Sequence, residues 1–326
     1  MGRGSRWGYR SLSILIAVVL IVGAMAFFWV SPAEATGDGY SPEELAFIST
    51  LNHHRMANGL QPLQLSDTIS EAAYRHSHDM AHYDFFSHLT GWDDNGPLPG
   101  VRSDWFATST TPWERMDISG YPEENGSGEI IAAGMPFVSP TVVFEAFRNS
   151  PGHNSSMLYG GSKVAGASRY YAAAAPYGYY WTVDFGAVIQ GPTHSFNFYE
   201  QEFSSIEYAG NWANASHSVF SGGSLDYINS PGAVTVNFTG TSLAWVGTKA
   251  AHYGKATVTL DGGAPVTVDC YSPTTLYQAG LYSTGILAEG DHILTIEWAG
   301  DKNPSSSYYY ITIDAFDVMG SLSPPS

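Results

Sequence analysis

Apolar residues recur at helical spacing in three segments of the first half of the chain. The segment SPEELAFISTLNHHRMANGL, residues 41–60, opens with a Ser-Pro pair and a glutamate three residues after the serine, which together predict a capped helix start. Its Asn-Gly pair predicts the helix end. A second helix is predicted over residues 67–83, and a third from Ser139 to the motif RNSPGHNSSML, residues 148–158.

The pattern then changes to alternating strands. KVAGASRYYAA, residues 163–173, and YGYYWTVDFGAV, residues 177–188, predict an antiparallel hairpin. From residue 206 to residue 320 the helical spacing disappears, and short alternating runs separated by Gly-rich turns predict an all-β sandwich. Residues 91–126 are rich in Gly, Pro, Ser, Thr and Trp and are interpreted as a long loop.

These patterns divide the chain into segments. We predict a signal peptide over residues 1–35, an α+β domain over 40–190, a linker over 191–205, a β-sandwich over 206–320 and a disordered tail over 321–326.

The N-terminal segment has the composition of an export signal. Arginines at its start precede an uncharged apolar run of 17 residues, 14–30, and Ala33 to Ala35 provide small residues for cleavage. We therefore predict a secreted or cell-surface protein. It would be attached to a membrane only if this segment stays uncleaved as an anchor.

The charge limits which classes of partner can bind, and the cysteine content limits how the fold is stabilised. The formal net charge is −17, and removal of three arginines and Glu34 with the signal peptide, a net +2, would leave −19. Such a surface repels nucleic acid and anionic lipid, so no nucleic-acid partner is expected. With Cys270 as the one cysteine, an intramolecular disulfide is impossible and apolar cores must hold the fold.

The motif RNSPGHNSSML predicts a histidine at a helix start. Ser150 can cap a new helix, and Pro151 suits the first helical position because no backbone N–H is needed there. His153 would then lie in the first turn.

Four segments occur in this order: one that ends in FFSH, then SGEIIAAG, FRNSPGHNSSML and YYWTVDFG. Together they resemble the CAP superfamily in its bacterial form. That resemblance implies a three-layer α-β-α sandwich. It also implies a cavity in which His88, Glu129 and His153 occupy the positions of the family's two histidines and one glutamate.

Two histidines and one carboxylate suit Zn²⁺ or another divalent cation. The alternative is a hydrogen-bonded polar cluster that joins the helices without metal. Ile130 follows Glu129 where the family usually has Asn, and Phe147 and Ser150 replace the family's tryptophan and second glutamate. Fewer carboxylates weaken the case for general acid–base catalysis, so the residues favour binding over an enzyme.

The segment 206–320 resembles galactose-binding-like and carbohydrate-binding modules, with an all-β, jelly-roll-like sandwich. Flat aromatic faces stack on sugars. The candidate ligand-binding residues are Trp245, Tyr253, Tyr271, Tyr277 and Tyr282. Their alternative role is packing in the core or at its rim.

Two functions follow. The first is a secreted or cell-surface binding protein that takes a small apolar, lipid- or sterol-like ligand or a divalent cation in the His/Glu cleft and cell-envelope glycan on the sandwich. The second is a metal-dependent hydrolase of peptide, ester or cell-wall substrates with Glu129 as general base. A structural surface protein with a vestigial cleft is a third interpretation.

Overall fold

The computed structural model describes residues 40–93, 96–98, 103 and 105–324. The predicted signal peptide, residues 1–35, lies outside these residues. Among the helices so described, none has both the length and the apolar character needed to cross a bilayer.

Five α-helices lie in the N-terminal part of the described chain. They are α1 (Pro42–Ala57), α2 (Asp67–His82), α3 (Pro112–Ile118), α4 (Pro140–Arg148) and α5 (Pro151–Met157), with 3₁₀ turns at Glu123–Asn125, Met135–Val138 and, further along the chain, Ser221–Gly223. The predicted capping box of α1 is confirmed. The Glu44 backbone N–H donates to Ser41 Oγ over 3.3 Å, and the Ser41 N–H donates to Glu44 Oε2 over 2.8 Å.

These helices pack around a five-stranded sheet. The strands of this part of the chain are β1 (Gln64–Ser66), β2 (Trp92–Asp93), β3 (Gly96–Pro97), β4 (Gly126–Ala133), β5 (Val164–Tyr171), β6 (Tyr179–Gly186) and β7 (Thr193–His194). The strand order is β4-β6-β5-β1-β7, while β2 and β3 pair only with each other in the described part of the chain. The predicted hairpin is confirmed, since β5 and β6 pair antiparallel from Val164–Gly186 to Tyr171–Tyr179.

Neighbouring residues of the edge strand β4 enter different cores. Ile130 packs in one cluster with Leu51 of α1 and Phe147 of α4. Ile131 packs in another with Met80 of α2. Successive side chains of a strand point to opposite faces, so helices cover both faces of this sheet. The mixed helix–sheet character predicted for this part of the chain is confirmed.

The predicted loop over residues 91–126 is wrong in part, because α3 lies within it. Thr111 and Glu114 form a second capping box around Pro112, in which the Glu114 N–H donates to Thr111 Oγ1 over 3.3 Å. The loop composition obscured this start signal in the sequence. Arg115 and Met116 of α3 are both buried.

The C-terminal part of the chain, here called the β module (residues 197–324), consists of strands. They are β8 (Asn197–Glu200), β9 (Ile206–Ala209), β10 (Ala213–Ser216), β11 (Ser224–Ile228), β12 (Ala233–Lys249), β13 (Lys255–Leu260), β14 (Val266–Asp269), β15 (Leu276–Ser283), β16 (Gly290–Trp298), β17 (Ile311–Ile313) and β18 (Ala315–Leu322).

Two sheets of the β module share one apolar core. The larger, eight-stranded sheet is organised around the 17-residue β12, which pairs with β16, β18, β15 and β9. The smaller sheet has the order β10-β11-β17. Ile228 and Ile313 of the smaller sheet pack in the same cluster as Val236 and Phe316 of the larger one. Burial alternates along β13, as the sequence pattern predicts, whereas β17 and most of β12 and β18 are buried at consecutive residues.

Two predicted boundary segments contain regular structure. Residues 191–205, predicted as a linker, contribute β7 to the first sheet and β8 to the β module. The predicted disordered tail is wrong for residues 321–323. Ser321 and Leu322 continue β18, and the Ser323 N–H donates to the Asn237 carbonyl over 2.8 Å.

Helix α1 packs directly on the β module. The Gly280 N–H of β15 donates to Thr50 Oγ1 over 2.8 Å. A Cβ atom at Gly280 would lie 2.4 Å from the carbonyl oxygen of Ala46, so only glycine permits this close approach. Backbone hydrogen bonding at this contact fixes the position of α1 on β15.

Candidate functional site

His88 and Glu129 meet at the exposed edge of the first sheet. Glu129 lies on the edge strand β4 with its carboxylate buried, and His88 follows α2 with half of its side chain, 51%, exposed. His88 Nδ1–H donates to Glu129 Oε1 over 2.7 Å. The sequence therefore identified two residues that the fold brings into direct contact.

Arg115 of α3 forms the buried side of this site. Its guanidinium donates to Glu129 Oε2, to the His88 carbonyl over 3.0 Å and to the Thr110 carbonyl over 2.9 Å. Sequence reasoning missed Arg115 because the composition around its helix is typical of a loop. The capping box at Thr111 was the signal that could have located it.

Burial and charge set the protonation of the buried groups. Burial alone would raise the pKa of Glu129, but Arg115 and His76 outweigh it and lower that pKa to about 2. Burial, with Arg115 nearby, lowers the pKa of His76 to about 3. At neutral pH Glu129 is therefore an ionised carboxylate, and His76 is a neutral imidazole whose Nε2–H donates to the Ser87 carbonyl over 2.9 Å.

A second carboxyl group lies beside Glu129. Asp184 of β6 is its direct cross-strand partner and is completely buried. Burial and the charge of Glu129 raise the pKa of Asp184 well above its usual range. The sheet therefore holds two buried carboxyl groups side by side whose pKa values are shifted in opposite directions, that of Glu129 downward and that of Asp184 upward.

His153 lies where the sequence predicts, in the first turn of α5 after Pro151. Ser150 precedes the helix, but its side chain makes no capping hydrogen bond. The His153 ring packs edge-on against Phe147, with 5.1 Å between centroids. Burial, and then the nearby His88, lower the pKa of His153.

The three residues do not fit a resident cation in this arrangement. Each carboxylate oxygen of Glu129 accepts a hydrogen bond, one from His88 and one from the buried cation Arg115. No group of three or more His, Cys, Asp or Glu side chains suited to a metal occurs among the residues described. His88, Glu129 and Arg115 form a hydrogen-bonded polar cluster, while His153 packs on Phe147. We derive no chemical step through a metal, and metal binding at His88, Glu129 and His153 stays a prediction.

The aromatic candidates of the β module occupy different environments. Trp245 is the clear correction: it is 0% exposed in the core and its Nε1–H donates to the Thr312 carbonyl over 3.0 Å, so it cannot stack on a ligand. Tyr253 and Tyr282 pack partly buried against the same core, and Tyr271 is half-buried. Tyr277 is 47% exposed.

A cluster of tyrosines that the sequence analysis did not select lies on the surface of the β module. We call Tyr227, Tyr308, Tyr309 and Tyr310 the tyrosine platform. The ring of Tyr308 lies 4.8 Å from Tyr310 and 6.1 Å from Tyr309, and Tyr310 lies 5.6 Å from Tyr227. Tyr308 and Tyr309 are 45% and 37% exposed. The run YYY has the pattern of a strand start, but β17 begins only at Ile311.

The loop that presents the platform is fixed by its own hydrogen bonds. The buried Ser306 hydroxyl lies 2.7 Å from the Tyr253 carbonyl oxygen and 2.8 Å from that of Tyr308. Gly254 allows the backbone of Tyr309 to approach, since a Cβ there would lie 2.8 Å from the Tyr309 oxygen. The exposed rings are therefore held on a rigid support.

Polar groups border the exposed rings. Asn229 Nδ2 lies 3.4 Å from the Tyr308 hydroxyl, and Lys302 Nζ lies 5.1 Å from the centroid of the Tyr309 ring. Aromatic faces bordered by hydrogen-bonding groups are the chemistry that recognises polar, ring-shaped ligands.

The comparisons with known proteins agree with the fold of the first part of the chain. Residues 48–185 match the model of the cysteine-rich secretory protein family, CAP. After the family whose model it matches, we call the helix-containing part of the chain, residues 40–190, the CAP domain. The uncharacterized protein YkwD of Bacillus subtilis (strain 168) is 29% identical over 118 residues, 36% of this chain and 38% of YkwD.

The second curated relative has a different name. It is an "A type blood alpha-D-galactosamine galactosaminidase" of Flavonifractor plautii, 35% identical over 79 residues, 24% of this chain and 7% of the relative. The chain thus spans well under half of the length of each of these two relatives.

Two solved structures resemble parts of the chain. An outer surface protein of Borrelia burgdorferi is 19% identical with a TM-score of 0.34, covering 45% of this chain and 97% of that protein. A family 35 carbohydrate-binding module of Clostridium thermocellum is 17% identical with a TM-score of 0.25, covering 37% of this chain and 96% of the module.

Proposed function

We propose that this protein is a secreted or cell-surface glycan-binding protein, in which the β module binds the glycan and the CAP domain is attached to it as a rigid partner. The observation that supports this most directly is the tyrosine platform, where Tyr308 and Tyr309 expose their rings on a loop fixed by Ser306. The apolar N-terminal run of residues 14–30 supports export.

The ligand that suits this surface is a neutral glycan. The net charge of −17 disfavours polyanions, and the rings supply stacking area while Asn229 and Lys302 supply hydrogen bonds. The name of the F. plautii relative refers to a galactosamine substrate. Galactose- and galactosamine-containing glycans are therefore the first probes, with glucose- and N-acetylglucosamine-containing polymers beside them.

The site formed by His88, Glu129 and Arg115 favours binding over catalysis. A carboxylate with its pKa near 2, held by Arg115, is a weak general base at neutral pH. We therefore propose no hydrolytic role for Glu129. The half-exposed His88 is the group of this site that a ligand can reach, and the lipid- or sterol-like ligand implied by the resemblance stays a prediction.

Retention on immobilised polysaccharide tests this function. The whole exported chain should be retained and then released by the free sugar, whereas the Tyr308→Ala/Tyr309→Ala variant should pass through. Tyr177→Ala is the matched control, because Tyr177 is also 45% exposed but lies in the CAP domain. Equal retention of all three proteins would contradict a role for the platform.

A further inference from the structure

A groove of about 250 Å³ lies between the CAP domain and the β module. Helices α1 and α4 form one side, with Thr50, His54, Phe144 and Arg148 among the lining residues. Strand β15 forms the other side, with Tyr277 and Gln278. None of the tyrosine-platform residues lines this groove.

The β15 side of the groove is irregular at two residues. Gly247 of β12 pairs with Ala279, and Lys249 pairs with Leu276, so Tyr277 and Gln278 together oppose the single residue Thr248. This is a β-bulge, a feature that redirects side chains and is over-represented beside active sites. It exposes the Tyr277 ring at the groove.

Gln278 has a backbone conformation that glutamine rarely adopts, with φ at +52°. Its Nε2 donates to the Val219 carbonyl over 2.9 Å, which joins β15 to the turn that closes the groove. A non-glycine residue at this φ carries a local conformational cost, and at the wall of the groove the hydrogen bond to Val219 holds Gln278 in that conformation.

The helical side of the groove is held in place. The Thr50 hydroxyl donates to the Ala46 carbonyl over 2.8 Å and accepts from the Gly280 N–H over 2.8 Å. Because this contact binds α1 to β15, the groove exists before any ligand arrives. A preformed site binds with less loss of conformational entropy.

The lining favours a neutral, hydroxyl-rich ligand. Arg148 is paired with Glu145 over 2.6 Å, so the groove offers hydrogen bonds without a net charge. Tyr277 adds exposed aromatic surface, and the Tyr277 hydroxyl and the Gln278 amide add polar groups. An acyl chain would desolvate these polar groups without replacing their hydrogen bonds.

We propose that the groove between α1, α4 and β15 is a second sugar site, which holds one neutral monosaccharide residue against Tyr277 and Gln278. This site uses residues separate from the tyrosine platform, so it can be tested independently of the proposed function.

The test uses the whole exported chain and four free sugars: galactose, N-acetylgalactosamine, glucose and N-acetylglucosamine. Saturation-transfer NMR and calorimetric titration suit a single-sugar site, whose Kd is on the order of 1 mM. We expect one of these sugars to bind, and Tyr277→Ala and Gln278→Gly each to weaken it at least about ten-fold. Gln278→Gly should change Tm little, because relief of the positive φ offsets the loss of the hydrogen bond to the Val219 carbonyl.

The matched control is Asp261→Gly, since Asp261 has a similar φ of +51° and lies in a turn outside the groove. It should leave sugar affinity unchanged. Sugar binding that Gln278→Gly and Tyr277→Ala both leave intact would overturn the proposal, as would the absence of binding by all four sugars.

The platform variant separates the two proposals. If Tyr308→Ala/Tyr309→Ala retains monosaccharide binding that Gln278→Gly removes, the groove site is supported, whether or not polysaccharide retention survives. If the platform variant alone removes monosaccharide binding, the groove proposal is overturned and the proposed function stands.

Discussion

His53 of the CAP domain donates a hydrogen bond from Nε2 to Oδ1 of Asp317 in the β module over 2.8 Å, and both side chains are buried. Asp317 also accepts from the Ser49 hydroxyl. Burial alone would lower the pKa of His53, but Asp317 outweighs it and the pKa is raised. A buried His–Asp hydrogen bond therefore connects α1 to β18, and the raised pKa of His53 favours its charged form.

Removing His53 should destabilise the whole chain. His53→Ala leaves the buried Asp317 carboxyl without this hydrogen-bond partner, which should cost about 3–5 kcal/mol of the free energy of unfolding. The matched control is His292→Ala, which removes a more exposed His–Asp pair with the same 2.8 Å distance and should cost about 1 kcal/mol or less. Urea unfolding measures both, and equal losses would contradict the structural importance of the buried pair.

The pH dependence of stability should report on Asp314, which accepts from the Ser221 N–H over 2.9 Å. Burial, opposed in part by His53, raises the pKa of Asp314 to about 8. The folded chain thus keeps this proton to a higher pH than the unfolded chain, so this group lowers the free energy of unfolding as pH rises from about 4 toward 8.

Asp314→Asn removes that titration while keeping an acceptor for Ser221. His53, Glu200 and Asp317 also face this group, so the measured quantity is the difference between wild type and variant. Relative to wild type, the variant should gain up to roughly 1.4 kcal/mol per pH unit between about pH 5 and pH 8. Parallel stability curves in urea unfolding would contradict the assigned protonation.

Arg115 and Glu129 should behave as a coupled pair. Arg115→Met leaves Glu129 as a buried carboxylate without its cation and should cost about 3–5 kcal/mol of the free energy of unfolding. The Arg115→Met/Glu129→Gln double variant should cost less than the sum of the two single variants, because no unpaired charge then remains. Strict additivity in the double-mutant cycle would show that the two groups do not interact.

Metal binding in the CAP domain has a direct test in calorimetric titration of the exported chain with Zn²⁺. Because Glu129 is held by His88 and Arg115, we expect no tight stoichiometric binding, and His153→Ala should give the same titration as wild type. Tight binding that His153→Ala removes would instead support the metal site implied by the family resemblance.

The sequence predicted those features that rest on local signals. The capping box of α1, the hairpin of β5 and β6 and the helix start before His153 all depend on a few neighbouring residues. His88 and Glu129 are 41 residues apart, and only the family resemblance placed them together.

Long-range packing determined what the sequence did not reveal. A core aromatic and a ligand-stacking aromatic look alike in the sequence, and Trp245 lies on the face of β12 that packs with Ile311 and Ile313 of the smaller sheet. Tyr308 and Tyr309 continue into a strand in the sequence, but Ser306 holds them in a loop. Arg115 belongs to the site because α3 packs beneath Glu129, a contact that the local sequence does not indicate.

The central claim is that Tyr308 and Tyr309 bind a neutral glycan. The most direct test measures the affinity for galactose- and galactosamine-containing glycans of the exported chain and of a variant that lacks those two rings. We predict that Tyr308→Ala/Tyr309→Ala weakens binding at least about ten-fold with Tm unchanged, while Tyr177→Ala binds like wild type. Binding that survives loss of both rings, or no binding by the wild-type chain to any neutral glycan, would contradict the account.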